Sequence, residues 1–99
     1  MNRPFYSEYV RHCMRFYSRN TNNPHFNTDV DEKNWHACHR AIEHYSGRDQ
    51  EILTRAYGLY DTLSDNVYEV AKIYEIDQSI IWDMLKKFER SVAKKRGLL

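Results

Sequence analysis

The chain has 99 residues, of which 41% are apolar and 29% charged, with only three Gly and two Pro. This length and composition predict one folded domain, or a domain with an arm, and exclude a disordered tail or a second independent core. The net charge is +1, and no apolar run approaches the length that a signal peptide or a membrane span needs, so we expect a cytoplasmic protein without a membrane partner.

The charges are segregated along the chain. Residues 1–20 carry four arginines against Glu8, a net charge of +3. Residues 86–96 carry six Lys and Arg against Glu89, a net charge of +5, and the stretch between these segments has a net charge of −7. This pattern favours a protein that presents a basic end to a polyanion. The alternative is a solvated helix terminus, where cations lie favourably near the negative end of the helix dipole.

The first predicted helix runs from about residue 4 to residue 19, because its apolar residues fall on one helical stripe. The Asn- and Pro-containing segment 20–24 has too many helix breakers to be anything but a loop. We therefore expect an N-terminal helical arm and loop over residues 1–27 and a helical domain over residues 28–99. On the first helix, three arginines recur every four residues and form a basic ridge, namely Arg11, Arg15 and Arg19.

Two shorter helices are predicted next. Thr28 or Asp29 can cap the second helix, which ends near Gly47, a residue free to adopt the left-handed conformation of a helix end. The third helix follows over residues 48–57 and ends at Gly58. Both helices carry an apolar stripe that predicts burial against the rest of the chain.

The last two predicted helices are separated by only three residues. One of Ser64, Asp65 and Asn66 can cap the fourth helix, and Asp77 caps the fifth, which reaches about Lys95. Amphipathic helices joined by so short a turn must cross steeply. The chain is therefore predicted to be all-α, with four to five helices and a C-terminal helix-turn-helix at about residues 66–95.

Two runs in this half of the chain carry a family resemblance. Residues 49–57 read Asp-Gln-Glu-Ile-Leu-Thr-Arg-Ala-Tyr, and residues 70–81 read Val-Ala-Lys-Ile-Tyr-Glu-Ile-Asp-Gln-Ser-Ile-Ile. Together they resemble the fourth conserved region of bacterial RNA polymerase sigma factors, and the small sigma-like regulators of phages and mobile elements. The resemblance covers about residues 48–96. The positions that match the family pattern are Ala71, Ile76, Ser79 and Ile81, with a basic tail after Phe88.

The resemblance implies a transcription regulator that binds double-stranded DNA. Residues 78–87 would read the major groove, and residues 86–96 would bind the phosphate backbone. One such motif rarely buries enough surface for tight specific binding, which implies a homodimer or an RNA polymerase partner. The candidate DNA-binding residues are Gln78, Ser79, Ile80, Trp82, Asp83, Lys86, Lys87, Arg90, Lys94, Lys95 and Arg96.

One position of the turn departs from the family pattern. Glu75 stands where the family usually has Gly, which predicts either a slightly opened turn or a non-glycine residue in the left-handed conformation. The alternative function is a protein-interaction or dimerisation module with a helix-turn-helix-like fold and no DNA role. In that module Trp82 and Ile80 would anchor a partner, as apolar and aromatic side chains often do.

Metal binding and catalysis have little support in the sequence. His36 and His39 lie three residues apart, but a structural zinc site needs four convergent ligands. The sequence has no nucleophile elbow or phosphate-cradling loop, and its three glycines leave no room for one. We therefore expect no metal, no cofactor and no enzymatic activity. Cys13 and Cys38 are interpreted as reduced, packed thiols.

Overall fold

The computed structural model describes residues 4–22 and 24–99, and within them the chain is all-α. None of the described helices is long and apolar enough to cross a bilayer. Residues 1–3 and Asn23, which belong to the predicted arm and loop, lie outside the described part of the chain. The helices of the described part, which contains no strand, are α1 (Ser7–Arg19), α2 (Asp29–Ile42), α3 (Gly47–Gly58), α4 (Leu63–Tyr74) and α5 (Gln78–Arg96).

All of these helices contribute to one hydrophobic core. Its largest fully buried side chains include Met14 of α1, Leu53 of α3 and Phe88 of α5. Helix α1 packs against α2, α3 and α5, so the helix that was expected in an N-terminal arm is an integral element of the core. Cys13 and Cys38 are buried and free, as packed thiols should be, and burial raises the pKa of Cys13 to about 11.

The boundary between α2 and α3 differs from the prediction. Helix α2 ends at Ile42, and Gly47 is the first residue of α3 rather than a left-handed helix end. The reason is that Ser46 caps α3, because its hydroxyl accepts a hydrogen bond from the backbone N–H of Asp49 at 3.2 Å. The prediction that Gly47 adopts the left-handed conformation at the end of α2 is therefore wrong.

The start of α4 also differs, because none of the three predicted capping residues caps it. Helix α4 begins at Leu63, and Asn66 is buried with 1% of its surface exposed. The Asn66 side-chain amide donates to the carbonyls of Ala56 at 2.8 Å and Tyr60 at 3.1 Å, and its oxygen accepts from the backbone N–H of Tyr60 at 2.7 Å. Asn66 thus satisfies the open end of α3 instead of the N–H groups of its own helix.

Helices α1 and α3 approach each other closely at Gly58, the last residue of α3. A Cβ atom added to Gly58 would lie 2.9 Å from the Cβ atom of Ser18. The sequence predicted Gly58 as a helix end, and the structure adds that its missing side chain makes room for α1.

Candidate nucleic-acid interface

The corner between α4 and α5 is a tight turn centred on Glu75. This residue adopts the left-handed conformation, with φ 55° and ψ 47°. The backbone N–H of Ile76 then donates to the carbonyl of Ala71 at 3.0 Å, which is the hydrogen bond of a Schellman helix end. The sequence allowed either a slightly opened turn or a non-glycine residue in the left-handed conformation, and the structure shows the second. Ile76 packs against the core beneath the turn.

Asp77 is the N-cap residue of α5, as predicted. Its carboxylate accepts a hydrogen bond from the backbone N–H of Ser79 at 2.9 Å, and this bond lowers the pKa of Asp77. The cap fixes the direction in which α5 leaves the turn. Gln78, Ser79 and Ile80 are all exposed at the head of this helix, and 52% of the surface of Ile80 is accessible.

Helix α5 has a buried stripe and an opposite, exposed face. Its core side is formed by Ile81, Leu85, Phe88 and Val92, which are buried. The exposed residues recur at intervals of three and four, so they share the opposite face of the helix. We call this the outward face, and its residues are Ser79, Asp83, Lys86, Lys87, Arg90 and Lys94.

The predicted cations of α5 fall into two groups. Lys86, Lys87, Arg90, Lys94 and Lys95 are exposed, and within residues 4–22 and 24–99 none of them forms an ion pair. Arg96 is turned inward, because its Nε donates to the side-chain oxygen of Asn34 on α2. The structure therefore brings five of the six cations to the surface and engages the sixth within the fold.

Trp82 also lies away from the outward face. It is half-buried and packs against the hydrophobic core, so its side chain is not fully exposed on the surface of α5. Among the apolar candidates, Ile80 is the one that solvent reaches freely.

In the sequence, Glu89 lowers the net positive charge of residues 86–96, but in the structure it is buried, with 3% of its surface exposed. Its Oε2 accepts a hydrogen bond from Arg11 Nε at 3.0 Å and another from the Tyr57 hydroxyl at 2.6 Å. Asp83 is consequently the acidic residue that remains on the outward face. The sequence signal for this burial was the position of Glu89, four residues after Leu85 on the apolar stripe.

The arginine ridge of α1 does not extend the cationic surface of α5. Arg11 is committed to Glu89, and Arg19 pairs with Asp61 at 3.4 Å. Arg15 is half-buried. Two of the three arginines of this ridge are thus paired with acids outside α1.

Two grooves flank the outward face of α5. The first, which we call the Tyr45 groove, lies on the Ile80 side and is lined by Tyr45, Ile80, Asp83, Met84 and Lys87. The second, which we call the Pro4 groove, lies on the Lys86 side and is lined by Pro4, Tyr6, Asp83, Lys86, Lys87 and Arg90. The outward face therefore stands as a ridge between two depressions.

The histidines of α2 are engaged with their neighbours. His39 shares a hydrogen bond of 2.9 Å between its Nδ1 and the Tyr17 hydroxyl, and its Nε2 lies 3.2 Å from a carboxylate oxygen of Glu43. Its ring stacks on Trp35 with 4.7 Å between centroids. Within the described ranges, no group of three or more potential metal ligands occurs.

Comparisons with protein-family models, curated proteins and solved structures find no match to this chain. The resemblance to the sigma-factor region accordingly stays a prediction from the sequence motifs.

Proposed function

We propose that this chain is a DNA-binding protein that lays the outward face of α5 along the major groove of duplex DNA. The observation that carries the proposal is the three-residue corner over residues 75–77, which leaves Gln78 and Ser79 exposed at the head of a 19-residue helix. The major groove of B-DNA is wide enough to admit one α-helix. The outward face of α5 is free to enter it.

The side chains at the head of α5 suit the edges of the bases. Gln78 and Ser79 can donate and accept hydrogen bonds, and Ile80 can contact a thymine methyl group. Asp83 repels phosphate but can accept a hydrogen bond from the N4 amino group of cytosine. These four residues would therefore carry sequence preference.

The cations further along the helix suit the phosphates. Helix α5 is about 28 Å long at 1.5 Å per residue, so its two halves reach different parts of the duplex. With the head of the helix in the groove, Arg90 and Lys94 would reach the backbone, with Lys86 and Lys87 between the two regions. Cations placed in this way provide affinity and orientation without sequence information.

A single helix of this kind contacts a limited surface. Tight and specific binding would require a second copy of the chain or a larger partner, and the sigma-like motifs favour RNA polymerase as that partner and transcription regulation as the role. The corner at Glu75 and the exposed Ser79 are the structural features that this resemblance would require.

A charge-reversal experiment tests the proposal. The double variant Lys86→Glu with Lys87→Glu should lose binding to random-sequence duplex DNA, measured by fluorescence anisotropy at low salt. The matched control is Lys33→Glu with Arg40→Glu, which changes the net charge equally at exposed positions of α2. Equal loss in both variants would mean that total charge, and not the outward face of α5, governs binding.

A protein-interaction module is the second candidate function, and the exposure of Ile80 beside Tyr45 and Met84 favours it. In that case Ile80→Ser would change the molar mass measured by light scattering, and duplex DNA would not bind. If the DNA proposal is correct, Ile80→Ser weakens DNA binding instead and leaves the molar mass of the free protein unchanged.

A further inference from the structure

The N-terminal turn of the chain lies beside the cationic side of α5. The backbone N–H of Ser7 donates to the carbonyl of Pro4 at 3.1 Å, which closes a turn just before α1. Tyr6 anchors this turn, since only 6% of its surface is exposed and it belongs to the core. The turn thus forms a fixed wall of the Pro4 groove.

Phe5 lies in this turn between Pro4 and Tyr6, which line the groove, and its own side chain is exposed to solvent. Its exposed fraction of 80% is the highest among the large apolar side chains that the structure describes. Its ring lies in a T-shaped arrangement with the ring of Tyr6, with 5.5 Å between the centroids. An exposed aromatic side chain beside a charged groove is a feature of interaction surfaces more than of folding.

The charges of the Pro4 groove define what can occupy it. Three cations, Lys86, Lys87 and Arg90, face one acid, Asp83. A polyanionic strand complements this excess of positive charge, while a neutral or cationic segment does not.

We propose that the Pro4 groove holds one phosphodiester strand of duplex DNA, with Lys86 and Arg90 on its phosphates and the Phe5 ring against a deoxyribose. This inference rests on the proposed function, because the strand is the one that borders the major groove occupied by α5. The N-terminal turn and α5 then lie on either side of the strand. The turn that precedes α1 takes part in this contact, whereas the arginine ridge of α1 does not.

In this arrangement the Phe5 contact is apolar, whereas the contacts of Lys86 and Arg90 with phosphates are ionic. Binding through cations releases counterions and depends steeply on salt, whereas an apolar contact does not. Phe5→Ala should therefore weaken DNA binding about fivefold at every salt concentration and leave the salt slope unchanged. Lys86→Ala should lower the slope by about one unit. Because Phe5 is so exposed, its replacement should leave the melting temperature unchanged.

Photo-crosslinking tests the contact directly. The photoreactive amino acid p-benzoylphenylalanine, placed at position 5, should crosslink to duplex DNA. The control position is Tyr60, which is 51% exposed and lies at the other end of α1, next to the Asp61 that pairs with Arg19. These ends of α1 are about 20 Å apart at 1.5 Å per residue.

The outcomes distinguish the two proposals. Crosslinking at position 5 but not at position 60, with a fivefold weaker Phe5→Ala variant, supports the inference. DNA binding that is normal in Phe5→Ala and gives no crosslink at position 5 overturns the inference and leaves the DNA role of α5 intact. Failure of the wild-type chain to bind duplex DNA at low salt overturns both.

Discussion

Arg11 of α1 and Glu89 of α5 form an ion pair across the core, with 3.0 Å between Nε and Oε2. The same carboxylate oxygen accepts a hydrogen bond from the hydroxyl of Tyr57 on α3, with 2.6 Å between the oxygens, so one buried group connects three helices. Burial of a carboxylate is costly unless such partners are present. The pair also removes an acid from the surface of the helix that we propose enters DNA.

Replacing Glu89 should destabilise the fold strongly. Glu89→Ala leaves Arg11 without its carboxylate and Tyr57 without an acceptor, and we expect the free energy of unfolding to fall by about 3 kcal/mol. Urea denaturation followed by circular dichroism measures this change. The control is Asp83→Ala on the exposed face of the same helix, which should change stability by less than about 0.5 kcal/mol. Equal effects of the two variants would contradict the structural role of the pair.

Tyr57 should make the fold sensitive to alkali. Its burial, with Glu89 beside it, raises the pKa of Tyr57 well above the ordinary value of 10.0. The unfolded chain therefore loses this proton first, and the contribution is fully present below pH 10 and is lost as the pH rises further. The loss from this one group is about 1.4 kcal/mol per pH unit.

The variant Tyr57→Phe tests this sensitivity. It should be less stable at neutral pH by about 2 kcal/mol, because a hydrogen bond to a charged group is lost. Above pH 10 its stability should decline less steeply than that of the wild type. Tyr60→Phe, at an exposed position, should follow the wild-type curve. Parallel alkaline curves for Tyr57→Phe and the wild type would show that Tyr57 does not control this transition.

Gly58 should not tolerate a side chain. A methyl group there meets the Cβ atom of Ser18 at 2.9 Å, so Gly58→Ala should push α1 and α3 apart and cost about 1–3 kcal/mol. Gly47→Ala is the matched control, because nothing lies within 4 Å of its added Cβ and its φ is ordinary. It should be neutral or slightly stabilising. Thermal melting of both variants compares them, and a stable Gly58→Ala variant would refute the close approach.

Glu75 should be a position where glycine improves the fold. A non-glycine residue with φ 55° is strained, so Glu75→Gly should stabilise the chain by about 0.5–1 kcal/mol. The reverse change at the other left-handed residue, Gly97→Ala with φ 81° at the end of α5, should destabilise it. In denaturant titrations, the midpoints of unfolding of the two variants should shift in opposite directions from that of the wild type. A destabilised Glu75→Gly variant would mean that the Glu75 side chain contributes to the turn.

Much of the fold could be predicted from the sequence because local signals set it. Apolar spacing located the helices, and the shortness of the segment between α4 and α5 required a corner. Asp77 is a preferred capping residue and caps α5 as expected. The all-α class and the helical character of residues 78–96 follow from these signals alone.

The features that the sequence did not reveal depend on tertiary partners. Asn66 resembles a capping residue, but the carbonyls it satisfies belong to another helix. Glu89 falls on the apolar stripe of α5, but the two side chains that stabilise its buried carboxylate, Arg11 and Tyr57, come from other helices. Arg96 resembles a phosphate-binding cation, yet Asn34 of α2 engages it. Such pairings join residues far apart in the chain, where periodicity carries no information.

The salt dependence of DNA binding by the wild-type chain tests the central claim most directly. Five exposed cations of α5 are available for phosphates, so a plot of log K against log salt for a random duplex should be linear with a slope of about −3 to −5. Lys86→Ala with Lys87→Ala should reduce this slope by about two units. Absence of binding at about 50 mM salt, or binding that does not change with salt, would contradict the account.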